Sequence, residues 1–427
     1  MTKNGKKVRR LYRWGLLATP LMVVAVVALA VTWGHQAAGP VTAQEKPPVD
    51  PPSVTETLAP GESIKVAKTV HVPAIPSKLD FCLLVDLSGS YSDDIVNIRN
   101  LDDGIYDGVK ATVADSLFCS ASLVDFPINP YGSAGSGDYA YQLDQDLTAT
   151  KLTWTTSIDN MVIRFGNDGP QSQYPALSEI AAGTGIDVTG NCPGFAAANV
   201  AAGQDPSWRA GATHVVAITT DAPFHIPGDA SVNCPAGGYP GPSSAATIAA
   251  LATENIKVIA IKAPGSGAEM DAIAAATGGS VVTTGSSSAE IATAITAGLA
   301  ALTFDITAQA VGCGALDISF VPPLIEDVSG PDQVNFSETI AVPAGTPPGK
   351  TTCTVEFLAD GAVIAVQDVS ITVPSEAVGG SGIFPNTATP GSSGGSAGAL
   401  VAVLVAVTAG AISLVGAAWF ARRRWIR

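Results

Sequence analysis

The chain changes its hydrophobic rhythm along its length. Over 63–73, "SIKVAKTVHVP" alternates apolar and polar residues, the mark of a strand with one covered face. At 79–86, "LDFCLLVD" is a short continuous apolar run, as in a strand covered on both faces. The following "DIVNIRNLDDGIYDGVKATVA" (94–114) carries Ile95, Ile98, Leu101, Ile105 and Val109, a helical stripe. The alternation continues with strands at 117–126, 213–221, 256–263 and 280–284, and helices at 151–165, 244–255, 268–278 and 288–302. Such alternation predicts an α/β domain with a doubly wound, mostly parallel sheet, whose ligands bind beyond the carboxyl ends of the strands.

From 303 the helical period stops. "FDITAQAV", "LDISFV", "TIAVPAG" and "TCTVEFLADGAVIAVQDVSITVP" alternate between Gly, Pro and Asp turns, which predicts a β-sandwich over 303–375. That stretch is short for a free-standing sandwich. The strand at 63–73 is therefore expected to complete it, with 79–302 inserted into a discontinuous β-domain. Residues 44–78 read as a Pro-rich stalk ("QEKPPVDPPSVTETLAPG") leading into the first strands, and 376–397 as a Gly/Ser/Pro linker.

Both ends read as export signals. Lys3, Lys6, Lys7, Arg9, Arg10 and Arg13 precede an uncharged run from Trp14 to Trp33 and then small residues, the order of a signal peptide over 1–43. Cleavage fits after Ala30 or after Ala43. Within 398–427, the 22 uncharged residues of 399–420 suit a transmembrane helix, with "RRRWIR" as a cytoplasmic basic tail.

Charge sharpens this picture. The chain is at −15, and without 1–43 and 388–427 it retains 12 basic residues against 37 acidic ones. A nucleic-acid partner is excluded on that balance. Six cysteines, Cys82, Cys119, Cys192, Cys234, Cys313 and Cys353, lie between the two ends, and none of their spacings resembles a zinc site. Fifteen pairings are open; sequence order suggests 82–119, 192–234 and 313–353.

The chemistry gathers at strand ends. In "VDLSGSYSDD", Asp86, Ser88 and Ser90 stand at i, i+2 and i+4 past a buried strand, so one loop can aim three hard oxygens at one point, as Mg²⁺ requires. A capped helix start explains the same residues equally well. Asp221 ends a second apolar strand, "HVVAITTD", and Asp168 lies in the loop "GNDGPQSQYP", both able to reach the same rim.

"DLSGSYSDD" resembles the metal-ion-dependent adhesion site of von Willebrand factor A-type domains, specifically the integrin β-subunit version. The resemblance extends through "LVDFPINPY" (123–131), "NDGPQ" (167–171), "TTDAPFHIPGD" (219–229) and a cysteine pair bracketing that last strand, matching Cys192 and Cys234, and covers 79–302. It implies that Asp86, Ser88, Ser90 and Asp221 hold Mg²⁺ and that Asp93 and Asp94 hold an adjacent Ca²⁺. Asp168, with carbonyls near Gly169 and Pro170, would belong to a third cation site. Gln171 stands where the family has Glu, and the loop 130–142 is shorter than the family's specificity loop. The implied activity is adhesion: the cation captures a carboxylate of a partner protein, and nothing turns over.

"FPNTA" (384–388), with the uncharged span and basic tail, resembles a sortase sorting signal, which would be cut between Thr387 and Ala388 to attach the chain to a cell wall. An ordinary membrane-anchored protein with a Pro/Thr linker is the other reading. "GSSGG" (391–395) lacks the preceding strand a nucleophile elbow needs. His214 and His225 read as structural or surface residues. The chain is thus expected to be a non-enzymatic surface adhesin of bacterial type. A structural wall or pilus module with a fold-stabilising cation is the alternative, and a surface hydrolase is the remotest reading.

Overall fold

The computed structural model describes residues 47–285 and 288–375. The expected leader (1–43), the sorting motif with Thr387 and Ala388, and the span 399–420 lie outside the described residues. Among the described residues no helix is long and apolar enough to cross a membrane.

Strands β1 (Val49–Asp50), β2 (Ser53–Thr57) and β3 (Ser63–Val72) open a β-sandwich that β10 (Thr303–Val311), β11 (Asp317–Val321), β12 (Leu324–Ser329), β13 (Asp332–Ala341), β14 (Gly349–Ala359) and β15 (Ala362–Val373) complete. One sheet has the order β1-β3-β13-β11 and the other β12-β10-β14-β15-β2. Residues 49–57, expected in a stalk, are therefore sandwich strands. The paired prolines between them fit because β1 and β2 sit at sheet edges, where a missing N–H breaks no ladder.

Between β3 and β10 lies the α/β part: β4 (Lys78–Asp86), β5 (Asp115–Leu123), β6 (Gln142–Thr148), β7 (Thr213–Thr220), β8 (Ile256–Lys262) and β9 (Ser280–Thr283). They form one sheet of order β6-β5-β4-β7-β8-β9, parallel except for β6. The helices are α1 (Asp94–Thr112), α2 (Lys151–Asp159), α3 (Gln173–Ala182), α4 (Ser244–Thr253), α5 (Glu269–Ala276) and α6 (Ile291–Ala300).

The apolar run of β4 is buried on both faces, as a central strand must be. Leu79, Phe81, Leu83 and Val85 pack with α1, α2 and α6, while Cys82 and Leu84 pack with α3, α4 and α5. The sheet is doubly wound. Helix α2 stops at Asp159 instead of 165, and residues 163–165 run along the loop that follows β4: Arg164 N donates to Leu87 O at 2.7 Å and Gly89 N to Phe165 O at 3.0 Å. Edge strand β6 and helix α3 were not foreseen.

Three disulfides form, Cys82–Cys119, Cys192–Cys234 and Cys313–Cys353. The α/β part is clasped to the sandwich by Lys257 on β8, which meets Asp360 in the β14–β15 turn at 2.7 Å and lies 5.0 Å above the Phe304 ring.

Trp154 anchors one helical layer. It is fully buried, donates its indole N–H to Cys119 O at 2.9 Å and lies 5.5 Å from the Phe118 ring. Trp154→Ala should cost about 3–5 kcal/mol, read as a lower urea midpoint with an unchanged slope. A loss below about 1 kcal/mol would mean that the layer closes over the gap.

Candidate functional site

At the carboxyl end of the sheet, the backbone itself builds the site. Leu87 N continues the β4–β5 ladder to Leu123 O at 2.9 Å, which fixes Asp86 at the strand tip with no exposed surface. A short 3₁₀ turn over Gly89–Ser92 then swings Ser88 and Ser90 back over that tip. Asp86 Oδ1 accepts from Ser88 N at 2.8 Å and Oδ2 from Thr220 Oγ1 at 2.6 Å. The Ser88 and Ser90 hydroxyls are 3.2 Å apart, and Ser90 Oγ donates to Asp221 Oδ1 at 2.9 Å. The structure thus brings Asp86, Ser88, Ser90 and Asp221 together across β4 and β7.

Asp93 is exposed and Asp94 is buried at the start of α1, one turn beyond. Burial pushes the Asp86 carboxyl up to about 6 despite its hydrogen bonds from Thr220 and Ser88, and Asp221 adds to the shift. Burial likewise pushes Asp94 up to about 6, with Asp93 and Asp221 raising it further. Among the described residues no lysine or arginine pairs with Asp86, Asp93, Asp94 or Asp221. Asp94 Oδ1 is buried without a hydrogen-bond partner. Carboxylates, hydroxyls and an orphaned buried oxygen, all hard donors short of positive charge, are a set that fits a hard divalent cation.

Two polar groups of this cluster went unread in the sequence. Thr220, one residue before Asp221, supplies the hydroxyl on Asp86. Gln173 backs it, donating from Nε2 to Thr220 Oγ1 at 3.0 Å. Gln171 is buried beside Asp168: its Nε2 reaches Asp168 O at 3.4 Å, its Oε1 has no hydrogen-bond partner, and its backbone pairs with Pro223 and His225.

Asp168 belongs to a second cluster centred on His225. The imidazole Nε2 lies 3.0 Å from Asp125 Oδ2 and 3.1 Å from Asp168 Oδ1, and Nδ1 lies 2.8 Å from Asp229 Oδ2. Burial pulls the His225 pKa down. Hydrogen bonds to Asp125 and Asp168, the charge of Asp125 and the bond to Asp229 outweigh it and lift the value to about 10. Without a bound metal, an imidazolium thus stands where the resemblance implied a third cation. Ligand atoms of Asp125, Asp168 and His225 lie within 4.8 Å of one another, so a metal ion could sit there only by displacing that proton. The signal for this role was the string "FHIPGD", which sets an acid four residues after the histidine.

No protein-family model matches the chain, and no curated protein matches it in sequence. Among solved structures, proximal thread matrix protein 1 from the mussel byssus is similar at a TM-score of 0.35 and 17% identity, over 56% of this chain and 50% of that one. This chain thus spans half the length of the mussel protein. The ArnB paralog VWA2 from Sulfolobus acidocaldarius is similar at a TM-score of 0.32 and 10% identity, over 74% and 72% of the two chains.

Two outcomes follow from the charges. In the chelator-stripped chain, the folded Asp86 holds a proton up to about pH 6, whereas unfolded aspartate releases it near pH 4. The penalty on folding is therefore complete above pH 6 and vanishes as pH falls to 4. Urea denaturation should show a gain over that window to which Asp86 contributes on the order of 2–3 kcal/mol; Asp86→Asn should remove that share and leave the part due to Asp94. Separately, His225→Gln leaves buried Asp125 without its counter-charge and should cost about 3–5 kcal/mol at neutral pH. A near-neutral effect in the same assay would show that the carboxylates are satisfied without the imidazolium.

Proposed function

We propose that the chain is a cell-surface ligand-binding protein built on a von Willebrand factor A-type domain of the integrin β kind, whose divalent cation captures a carboxylate of a partner protein. The convergence of Asp86, Ser88, Ser90, Thr220 and Asp221 without a basic counter-charge supports this reading above all else. Asp86, Ser88, Ser90 and Asp221 would hold Mg²⁺, and Asp93 and Asp94 a neighbouring Ca²⁺. When bound, the cation supplies a coordination position that an external carboxylate oxygen can fill.

The protein's own residues do the rest. Thr220 and the Ser88 amide hold both Asp86 oxygens in place, with Gln173 fixing Thr220 from behind. Beside the loop, where Gly89 N donates to Phe165 O, stands the exposed Phe165 side chain (73%), which suits a partner whose carboxylate sits next to apolar surface. Under the loop, buried Tyr91 reaches Ser288 Oγ at 3.1 Å, and Ser288 also bonds Asp94. Ser288 leads into α6, so capture at the rim can shift α6 against the sandwich. The three disulfides suit an oxidising exterior. Export, a membrane anchor and sortase attachment at Thr387 complete the proposed placement at a cell surface.

The test has two arms. Stripped protein should bind Mg²⁺ saturably in calorimetry, and Asp86→Ala should lose that binding. Cells displaying the chain should attach to protein-coated surfaces in Mg²⁺, and Asp86→Ala or EDTA should remove most of that attachment. Loss of Mg²⁺ binding with attachment unchanged would sink the adhesion reading and favour a structural wall module.

A further inference from the structure

The β-sandwich hides a buried lysine–glutamate pair. Strands β3 and β13 run antiparallel over ten paired positions, with Phe336 opposite Lys68 and Glu338 two residues further along. Lys68 and Glu338 are therefore diagonal neighbours on one sheet face, and both point into the core. Their side chains have 0% exposure each, and Lys68 Nζ lies 2.9 Å from Glu338 Oε2. Beyond that contact, neither Nζ nor either carboxylate oxygen has a hydrogen-bond partner among the described residues.

A lysine normally threads its ammonium out to water, and an ion pair sealed in a core without further hydrogen bonds recovers too little to offset its desolvation. We propose that Lys68 and Glu338 condense into an intrachain amide, a covalent staple between β3, which precedes the α/β insertion, and β13, which follows it. Burial pulls the Lys68 pKa down, which favours the neutral amine that the attack needs, and the proton given up passes to the carboxylate 2.9 Å away as the step begins. The Nζ lone pair attacks Glu338 Cδ, the Cδ–N bond forms, the Cδ–OH bond breaks, and an amine proton leaves with the hydroxyl as one water. No oxidant or co-reactant is needed. Fixed proximity replaces the encounter that makes this condensation slow in solution. The product exchanges two buried charges for one neutral amide. It also joins chain before the insertion to chain after it, so tension along the sandwich bypasses the α/β domain.

Peptide mapping of the full chain purified from expressing cells, with disulfides reduced and alkylated, tests this directly. The Lys68 and Glu338 peptides should be recovered joined, at their summed mass less one water. Lys68→Met and Glu338→Leu, which keep the core filled, should each yield only separate peptides. Recovery of the two peptides unjoined from the native chain would overturn the proposal, and this reading needs no variant to fold. A joined species lighter by one ammonia and mapped to Gln367, the buried amide on the facing sheet, would also overturn the assignment to Glu338.

Discussion

Asp86 is a carboxylate with no exposed surface, no basic partner and two hydrogen bonds to hold it, and the α/β part is arranged around that burden. It is buried because β4 is the central strand, covered by helices on both faces up to its last residue. A buried, unpaired charge is tolerated only if it is neutralised by a proton or by a cation. The oxygens of Ser88, Ser90 and Asp221 gather at the same rim, donors that a proton alone would not use. In the proposed reading, burial that would count against the fold becomes affinity for a divalent ion.

The same sheet edge solves the same problem a second way a few residues along. Asp125, also fully buried, gathers with Asp168 and Asp229 around the His225 imidazolium, a cation supplied by the chain. Gln171 fits this arrangement. Its backbone pairs with His225, and its neutral amide adds no further negative charge beside Asp168. One rim thus carries two acidic clusters, one without a basic partner and one gathered around a histidine.

What could be read from sequence tracks how each element is buried. One-sided and two-sided strands announce themselves by period, and α1 by its stripe, because water lies on a defined side of each. Helix α3 has no stripe to show: Tyr174, Pro175, Ala176, Leu177, Glu179, Ile180 and Ala181 are all buried. Strand β6, "QLDQDLT", is a half-buried edge whose polar residues read as loop. In the site, Asp86, Ser88, Ser90 and Asp221 were legible because carboxylates past apolar runs are conspicuous. Thr220 and Gln173 were not, since a hydroxyl or amide at a strand end is ordinary until a carboxylate is placed against it. His225 was visible as a residue, but its charge depends on Asp125, which lies 100 positions earlier in the chain.

The interrupted sandwich bears on how the rim could communicate. The α/β part joins it through two connections, residues 73–77 before β4 and 301–302 after α6. The first enters at the end of β4 opposite Asp86 and is remote from the metal-type loop. Helix α6 differs: Ser288, just before its start, touches Tyr91 under that loop, and its last turn runs directly into β10. Its ten residues cover about 15 Å as one rigid rod, with Ala301 and Leu302 as the only covalent slack. Meanwhile Lys257 ties the base of β8 to Asp360. Displacement at the rim therefore has one stiff path to the sandwich, along α6 and into β10, with the Lys257 clasp as the pivot it turns against.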